Sequence, residues 1–157
     1  MASNDTHAAT PDPVTGPVLF AYDGCDLAKL AIEQAGRQLA PGRDALIVCV
    51  WQTNDLGFLP ISDRHLNAAD AGEVRAAAEE TAAHGASLAE AAGFRPESMA
   101  IAAAPTWKGI VEVAEQRNAS LIVLGPHRRS GLVGHLLGSV TAAVMAHSTA
   151  SVLLVRS

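Results

Sequence analysis

The stretch LIVLGPHRRSGLVGHLLGSVTAAVMAHSTASVLLV, residues 121–155, decides the fold. It opens on four apolar residues that stop at Gly125, a strand-length run bounded by a turn residue. A glycine-rich connection then leads to Gly138 and Ser139, a helix runs to about His147, and residues 151–155 close the unit as a second apolar strand. Two strands that are apolar along their whole length, joined by a helix, imply a parallel sheet covered on both faces. Leu132 to Val155 carries no Asp, Glu, Lys or Arg and is long enough to cross a bilayer. However, His135, Gly138, Ser139, Thr141, His147, Ser148, Thr149 and Ser151 cut it into loop, helix, turn and strand. It reads as a buried segment and not as a membrane span.

The same alternation extends toward the N-terminus. Residues 18–22 (VLFAY) form a strand ending in Asp23-Gly24, followed by a helical period from Asp26 with Leu27, Leu30, Ala31, Ala35 and Leu39 on one face. Pro41-Gly42 stops that helix, and ALIVCVW (45–51) is a second buried strand. The connection 52–67 shows no period and reads as a binding loop or a plain surface loop. Val74, Ala78, Thr81, Gly85, Leu88 and Ala92 then recur at three- and four-residue steps, giving a long helix with a small-residue face that Gly93 closes. A weaker strand at 98–104 precedes a helix with Thr106 as N-cap and Trp107, Ile110, Val111 and Ala114 inward. The order β-α-β-α-β-α-β-α-β predicts a doubly wound α/β fold with right-handed crossovers.

Composition excludes several classes. A chain of 157 residues forms one core without disulfides. With 16 acidic against 11 basic side chains and 4% aromatics, it lacks the basic face and stacking platforms of a nucleic-acid binder. Cys25 and Cys49 read as two reduced, buried thiols of a cytoplasmic protein. Six histidines without metal-ligand spacing make zinc an unfavoured reading. Residues 1–16 are polar, lack an apolar signal core and read as a disordered leader; 17–157 form the domain.

Doubly wound sheets bind ligands beyond the carboxyl ends of their strands. Ala21, Tyr22, Asp23 and Gly24 after the first strand, Val50 and Trp51 at the end of the second, and Gly125 after the fourth all converge there. Asp23 suits a ribose hydroxyl or a cation, or else it caps the following helix. Gly138 at a helix start lets backbone N–H groups approach an anion, with Ser139 and Thr141 adding hydroxyls and Arg128 and Arg129 adding positive charge. The pattern is neither a Walker loop nor GxGxxG, and no GxSxG elbow is present. Trp51 and Trp107 read as packing residues, with Trp51 also placed to wall a base.

Gly125-x2-Arg128-x9-Gly138-Ser139, framed by LIVLG and SVLLV, closely resembles the nucleotide motif of the universal stress protein family. The opening AYDGCDLAKLAIEQA, residues 21–35, resembles the family's Asp-Gly-Ser start. The resemblance implies five parallel strands in the order 3-2-1-4-5 and a homodimer paired through the last strand, Ser151 to Val155. It implies ATP, with or without Mg²⁺, as the ligand. Ala21, Tyr22 and Asp23 would then line the adenine and ribose end, and Val50 would meet adenine. Gly125 would support the ribose–phosphate region, and Gly138, Ser139, Val140 and Thr141 would hold phosphates.

Two departures stand out. Cys25 replaces a serine that would cap the helix, and Arg128 replaces the motif's second glycine. Two readings follow: an ATP-binding regulator of stress response, with Arg128 and Arg129 against the phosphates, or a nucleotide-free dimeric interaction module. No general base is evident, so an enzyme, at most a slow ATPase, ranks below both.

Overall fold

A computed structural model describes residues 15–52, 68–125 and 138–156. Within them lie β1 (Val18–Ala21), α1 (Asp26–Gln38), β2 (Asp44–Trp51), α2 (Ala68–Ala91), β3 (Arg95–Ala102), α3 (Thr106–Gln116), β4 (Leu121–Leu124), α4 (Ser139–His147) and β5 (Ser151–Leu154). The strands form one sheet in the order β3-β2-β1-β4-β5, and every neighbouring pair is parallel. The fold expected from the alternation, and the strand order implied by the resemblance, are both those observed.

Side-chain parity explains how the sheet is sandwiched, because successive residues of a strand point to opposite faces. Val18, Phe20 and Tyr22 of the first strand and its extension join Ala45 and Ile47 in one apolar cluster. That cluster is covered by Ala28, Ala31, Ile32 and Ala35 of α1 and Ala89 of α2. Leu19, Leu46, Val48, Ile122 and Leu124 point the other way, under Ile110, Val111, Val113 and Ala114 of α3 and Val144 of α4. Phe20 and Phe94 meet edge to face with centroids 5.2 Å apart, an arrangement favoured by the ring quadrupoles.

The buried stripes of the helices differ in detail from the sequence reading. In α1 the most deeply buried residues are Ile32 and Ala35, with Leu30 and Leu39 packed at the margin. In α2 the buried line runs through Ala78, Ala82, Gly85 and Ala89: Ala78 and Gly85 lie as expected, while Ala82 and Ala89 are buried in place of the half-buried Thr81 and Leu88. Many alanines flank that line on either side, so hydropathy alone defines its azimuth poorly. A Cβ at Gly85 would lie 2.7 Å from the Tyr22 ring and from Ile47 Cγ2, so glycine lets α2 press onto the sheet.

β3 begins at Arg95, three residues earlier than the apolar run suggested, because Asp44 pairs with Arg95 at the sheet's edge. Its polar start is held by exposed ion pairs, Arg95 with Asp44 at 3.0 Å and Arg117 with Glu97. Pro105, not Thr106, is the N-cap of α3, and it makes no side-chain capping bond. No described helix is long and apolar enough to cross a membrane. The final segment contains the expected helix, turn and strand over residues 138–154.

Candidate functional site

The winding direction reverses between β1 and β4. The chain moves outward from β1 through β2 to β3, then returns to add β4 and β5 on the other side. Both helices of one crossover set cover one face and both of the other cover the opposite face, so the switch point, where open α/β sheets place their ligands, lies at the carboxyl ends of β1 and β4. Each crossover helix returns from a carboxyl end to the amino end of the next strand. Its positive N-terminal dipole therefore faces the same rim.

The strand register places the candidate residues at defined heights. Ala21 pairs with Val48, and the Tyr22 N–H donates to the Val48 carbonyl at 2.9 Å. Continuing that register puts Asp23 level with Val50. Phe20 pairs with Val123, so Gly125 comes level with Tyr22. Ala21 and Val50 share the α3 side of the sheet. They form an apolar wall, while Asp23 stands exposed above it.

Tyr22 faces the other way. The residue is 2% exposed, and its side chain lies against Gly85 and bonds through its hydroxyl to His84 Nδ1 at 2.8 Å. Burial first, then the Asp23 carboxylate, raises its pKa above that of an ordinary phenol. Tyr22 thus turns its side chain away from the Ala21–Val50 face. Trp51 follows the same parity: it packs with Cys49, Ala78, Ala82 and Ala100 beneath α2. It does not share the Val50 face, so it cannot wall a base set against Val50. Trp107 does stack, but on His147, with ring centroids 4.4 Å apart and planes 16° from parallel.

The turn after β1 is built for a sharp entry into α1. Gly24 has φ +83°, where L side chains are strained, and Asp23 accepts the Cys25 N–H at 3.0 Å through its Oδ1. Cys25 itself is the N-cap, its Sγ accepting from the Ala28 N–H at 3.4 Å. The expectation that cysteine forfeits the cap is therefore corrected: the thiol sulfur takes serine's place, as a weaker acceptor. The expectation that both thiols are buried holds only for Cys49, since Cys25 is exposed.

A helix N-terminus usually lowers a thiol pKa. Here burial and the Asp23 carboxylate outweigh the Ala28 N–H, and the Cys25 pKa is raised. A raised pKa leaves the neutral thiol dominant at pH 7–8. Native-state alkylation at Cys25 is expected to run slower at pH 7.5 than that of a free cysteine peptide, with its rate midpoint displaced to higher pH. Faster labelling than the peptide, followed by mass spectrometry, would refute this. Cys49 is expected to label only after denaturation.

On the far side of the switch point, Gly138 caps α4 in an extended conformation (φ −57°, ψ 150°) without a side-chain capping bond. Ser139 is exposed, Val140 is half-buried against the α3 cluster, and Thr141 is 3% exposed. Of the two hydroxyl residues at the start of α4, Ser139 is therefore at the surface and Thr141 is buried. Arg128 and Arg129 lie outside the described residues, as does the connection 53–67. Gly125 has a packing role that its glycine motif did not disclose: an added Cβ would sit 2.7 Å from the Leu27 carbonyl oxygen and 2.9 Å from its carbon.

A groove of about 530 Å³ opens at the opposite end of the sheet, lined by Asp44, Glu90, Arg95, Glu97 and Arg117 among others. It suits an anion poorly. Its arginines already pair with Asp44 and Glu97, Glu90 adds negative charge, and helix C-termini face that end.

The fold is that of a doubly wound α/β protein with its switch point between β1 and β4. The universal stress protein family model matches residues 15–156, and the chain belongs to that family. It is 31% identical over 160 residues to a universal stress protein of Mycobacterium tuberculosis, across 95% of this chain and 48% of that protein. The chain thus spans about half the length of the curated relatives it matches. A universal stress protein solved in complex with cAMP superposes with a TM-score of 0.62 at 23% identity, covering 90% of this chain and 97% of that one. The universal stress protein from Archaeoglobus fulgidus in complex with dAMP gives 0.57 at 21% identity, covering 90% and 98%.

Proposed function

We propose that the protein binds an adenine nucleotide, ATP in the first instance, as a regulatory ligand at the rim formed by β1, β2, β4 and α4. The observation that carries this reading is the register: it levels Asp23 with Val50 beside Gly125 at the switch point, and the N-terminus of α4, capped by Gly138, faces the same end of the sheet. Adenine would lie on the Ala21–Val50 wall and ribose would meet Asp23. Phosphates would meet Gly138, Ser139 and the α4 N–H groups, with Arg128 and Arg129 as counter-charges. Two structural neighbours carry adenine nucleotides, cAMP and dAMP, which supports a nucleotide of this base class.

The test is direct. Protein denatured immediately after purification should release adenine nucleotide detectable by chromatography, or bind added ATP saturably with Mg²⁺. If it does neither, the alternative of a nucleotide-free interaction module is the better account.

The same proposal includes a homodimer through β5. That strand is the sheet edge, and Val152, Leu153 and Leu154 are only half-buried within one chain. An apolar free edge invites strand pairing. Sedimentation as a monomer at micromolar concentration would exclude it.

A further inference from the structure

We propose that the outer flank of α4, centred on Met145, packs against the same helix of a second copy of this chain, and that nucleotide held at the N-terminus of α4 tightens the dimer so formed. The inference rests on the nucleotide and dimer readings above and adds the coupling between them.

The contacts of α4 fix which way Met145 points. The helix buries only Thr141 and Val144. Val140 packs with the α3 cluster, and His147 stacks on Trp107 of α3, so these two residues mark the flank turned toward α3. Met145 lies two residues before His147, about 160° around the axis from it at 3.6 residues per turn. It therefore points away from α3. On this face of the sheet α3 joins β3 to β4 and α4 joins β4 to β5, so the side away from α3 is the side of the free β5 edge. Among the described residues Met145 is the large apolar side chain left exposed, at 53%.

Charge favours a second copy as the occupant. The chain carries a formal charge of −5, and most of its surface repels another copy of itself. Residues 139–155 contain no Asp, Glu, Lys or Arg, so a like-charged copy can approach α4 and β5 closely. Val152 and Leu154 of β5 face the same side of the sheet as α4 and are half-buried. Two β5 edges pairing antiparallel about a two-fold axis normal to the sheet keep both α4 helices on one face. That symmetry turns the two Met145 flanks toward each other.

The helix itself links partner and ligand. Met145 is six residues from Ser139, about 9 Å along the axis. A nine-residue helix with two buried residues is held lightly within one chain, because helices this short are marginal alone. Phosphates on its first N–H groups and a partner on its flank hold the same short element, so each favours the other by the same factor.

Sedimentation of the full chain, either stripped of nucleotide or saturated with ATP and Mg²⁺, tests this. ATP is expected to lower the dimer dissociation constant by about five- to a hundredfold, the usual range for coupled sites. Met145→Lys changes an exposed residue and should stay folded while raising that constant about tenfold or more, as loss of an apolar anchor does. It should also weaken ATP binding at concentrations where wild type is dimeric. The lysine charge alone would attract phosphate, so weaker binding reports the lost partner. Met145→Leu should keep the wild-type values. If ATP binds but leaves the dimer constant unchanged, or if folded Met145→Lys dimerises like wild type, the inference fails and both readings survive. Wild type that binds ATP as a monomer overturns the dimer reading, and wild type that dimerises without binding ATP overturns the nucleotide reading; either result also sinks the coupling.

Discussion

Gly125→Ala is expected to destabilise the protein by about 2–3 kcal/mol, a shift of roughly 4–12 °C in Tm for a domain of this size. The new Cβ would lie 2.7 Å from the Leu27 carbonyl oxygen, 2.9 Å from the Leu27 carbonyl carbon and 3.2 Å from the Ala28 nitrogen. All three are main-chain atoms of the first turn of α1, which no rotamer change can move away. Either the carboxyl end of β4 or the start of α1 must give way. The start of α1 is already committed to the Asp23 turn and the Cys25 cap.

Gly42→Ala is the control. Gly42 has no atom within 4 Å of an added Cβ, and its penalty comes only from φ +79°. That strain amounts to about 1–2 kcal/mol. Urea denaturation of the two variants against wild type separates steric conflict from backbone strain. A Gly125→Ala protein within about 0.5 kcal/mol of wild type, inside the usual range of surface substitutions, would show that β4 and α1 are not in contact as described.

Gly138→Val is expected to have the largest effect on ligand binding, a loss of about a hundredfold or more in ATP affinity, with the fold retained. The extended conformation at Gly138 is open to any residue, so the backbone does not require glycine there. The cost to the helix is that of a poor N-cap, about 1 kcal/mol. The cost to the ligand is larger, because a branched side chain would stand between a phosphate and the first N–H groups of α4. Two hydrogen bonds to charged oxygens are worth about 3 kcal/mol or more together, and that is the hundredfold. Calorimetry with ATP beside thermal melting reads both quantities. A folded Gly138→Val protein that binds ATP as tightly as wild type would place the phosphates elsewhere.

The architecture was legible because the relevant patterns are strong. Uniformly apolar runs at 18–22, 45–51 and 121–124 have few other solutions than a covered parallel sheet. Asp23, Val50, Gly125 and Gly138 fell at one rim because a doubly wound topology carries every strand end there.

Legibility stopped at the level of side-chain direction. Tyr22 and Trp51 stand at strand ends like Ala21 and Val50, yet parity turns them to the α2 face, where Gly85 and Ala82 leave room for a ring. Parity could have been counted from the sequence, but the face on which a base would lie follows only from which helices cover which side. The role of Gly125 was hidden for a similar reason: the same glycine serves a motif and a helix contact, and only coordinates reveal the Leu27 carbonyl. The hydrogen bond from Gln52 Nε2 to the Thr106 hydroxyl, which ties the end of β2 to the start of α3, carried no sequence signal, since the two are 54 residues apart.

The measurement that bears most directly on the central claim is a calorimetric titration of the purified chain, stripped of any co-purified nucleotide, with ATP and Mg²⁺. Saturable binding at one site per chain, lost in Gly138→Val, is the predicted result. A flat titration of folded, nucleotide-stripped wild type would contradict it.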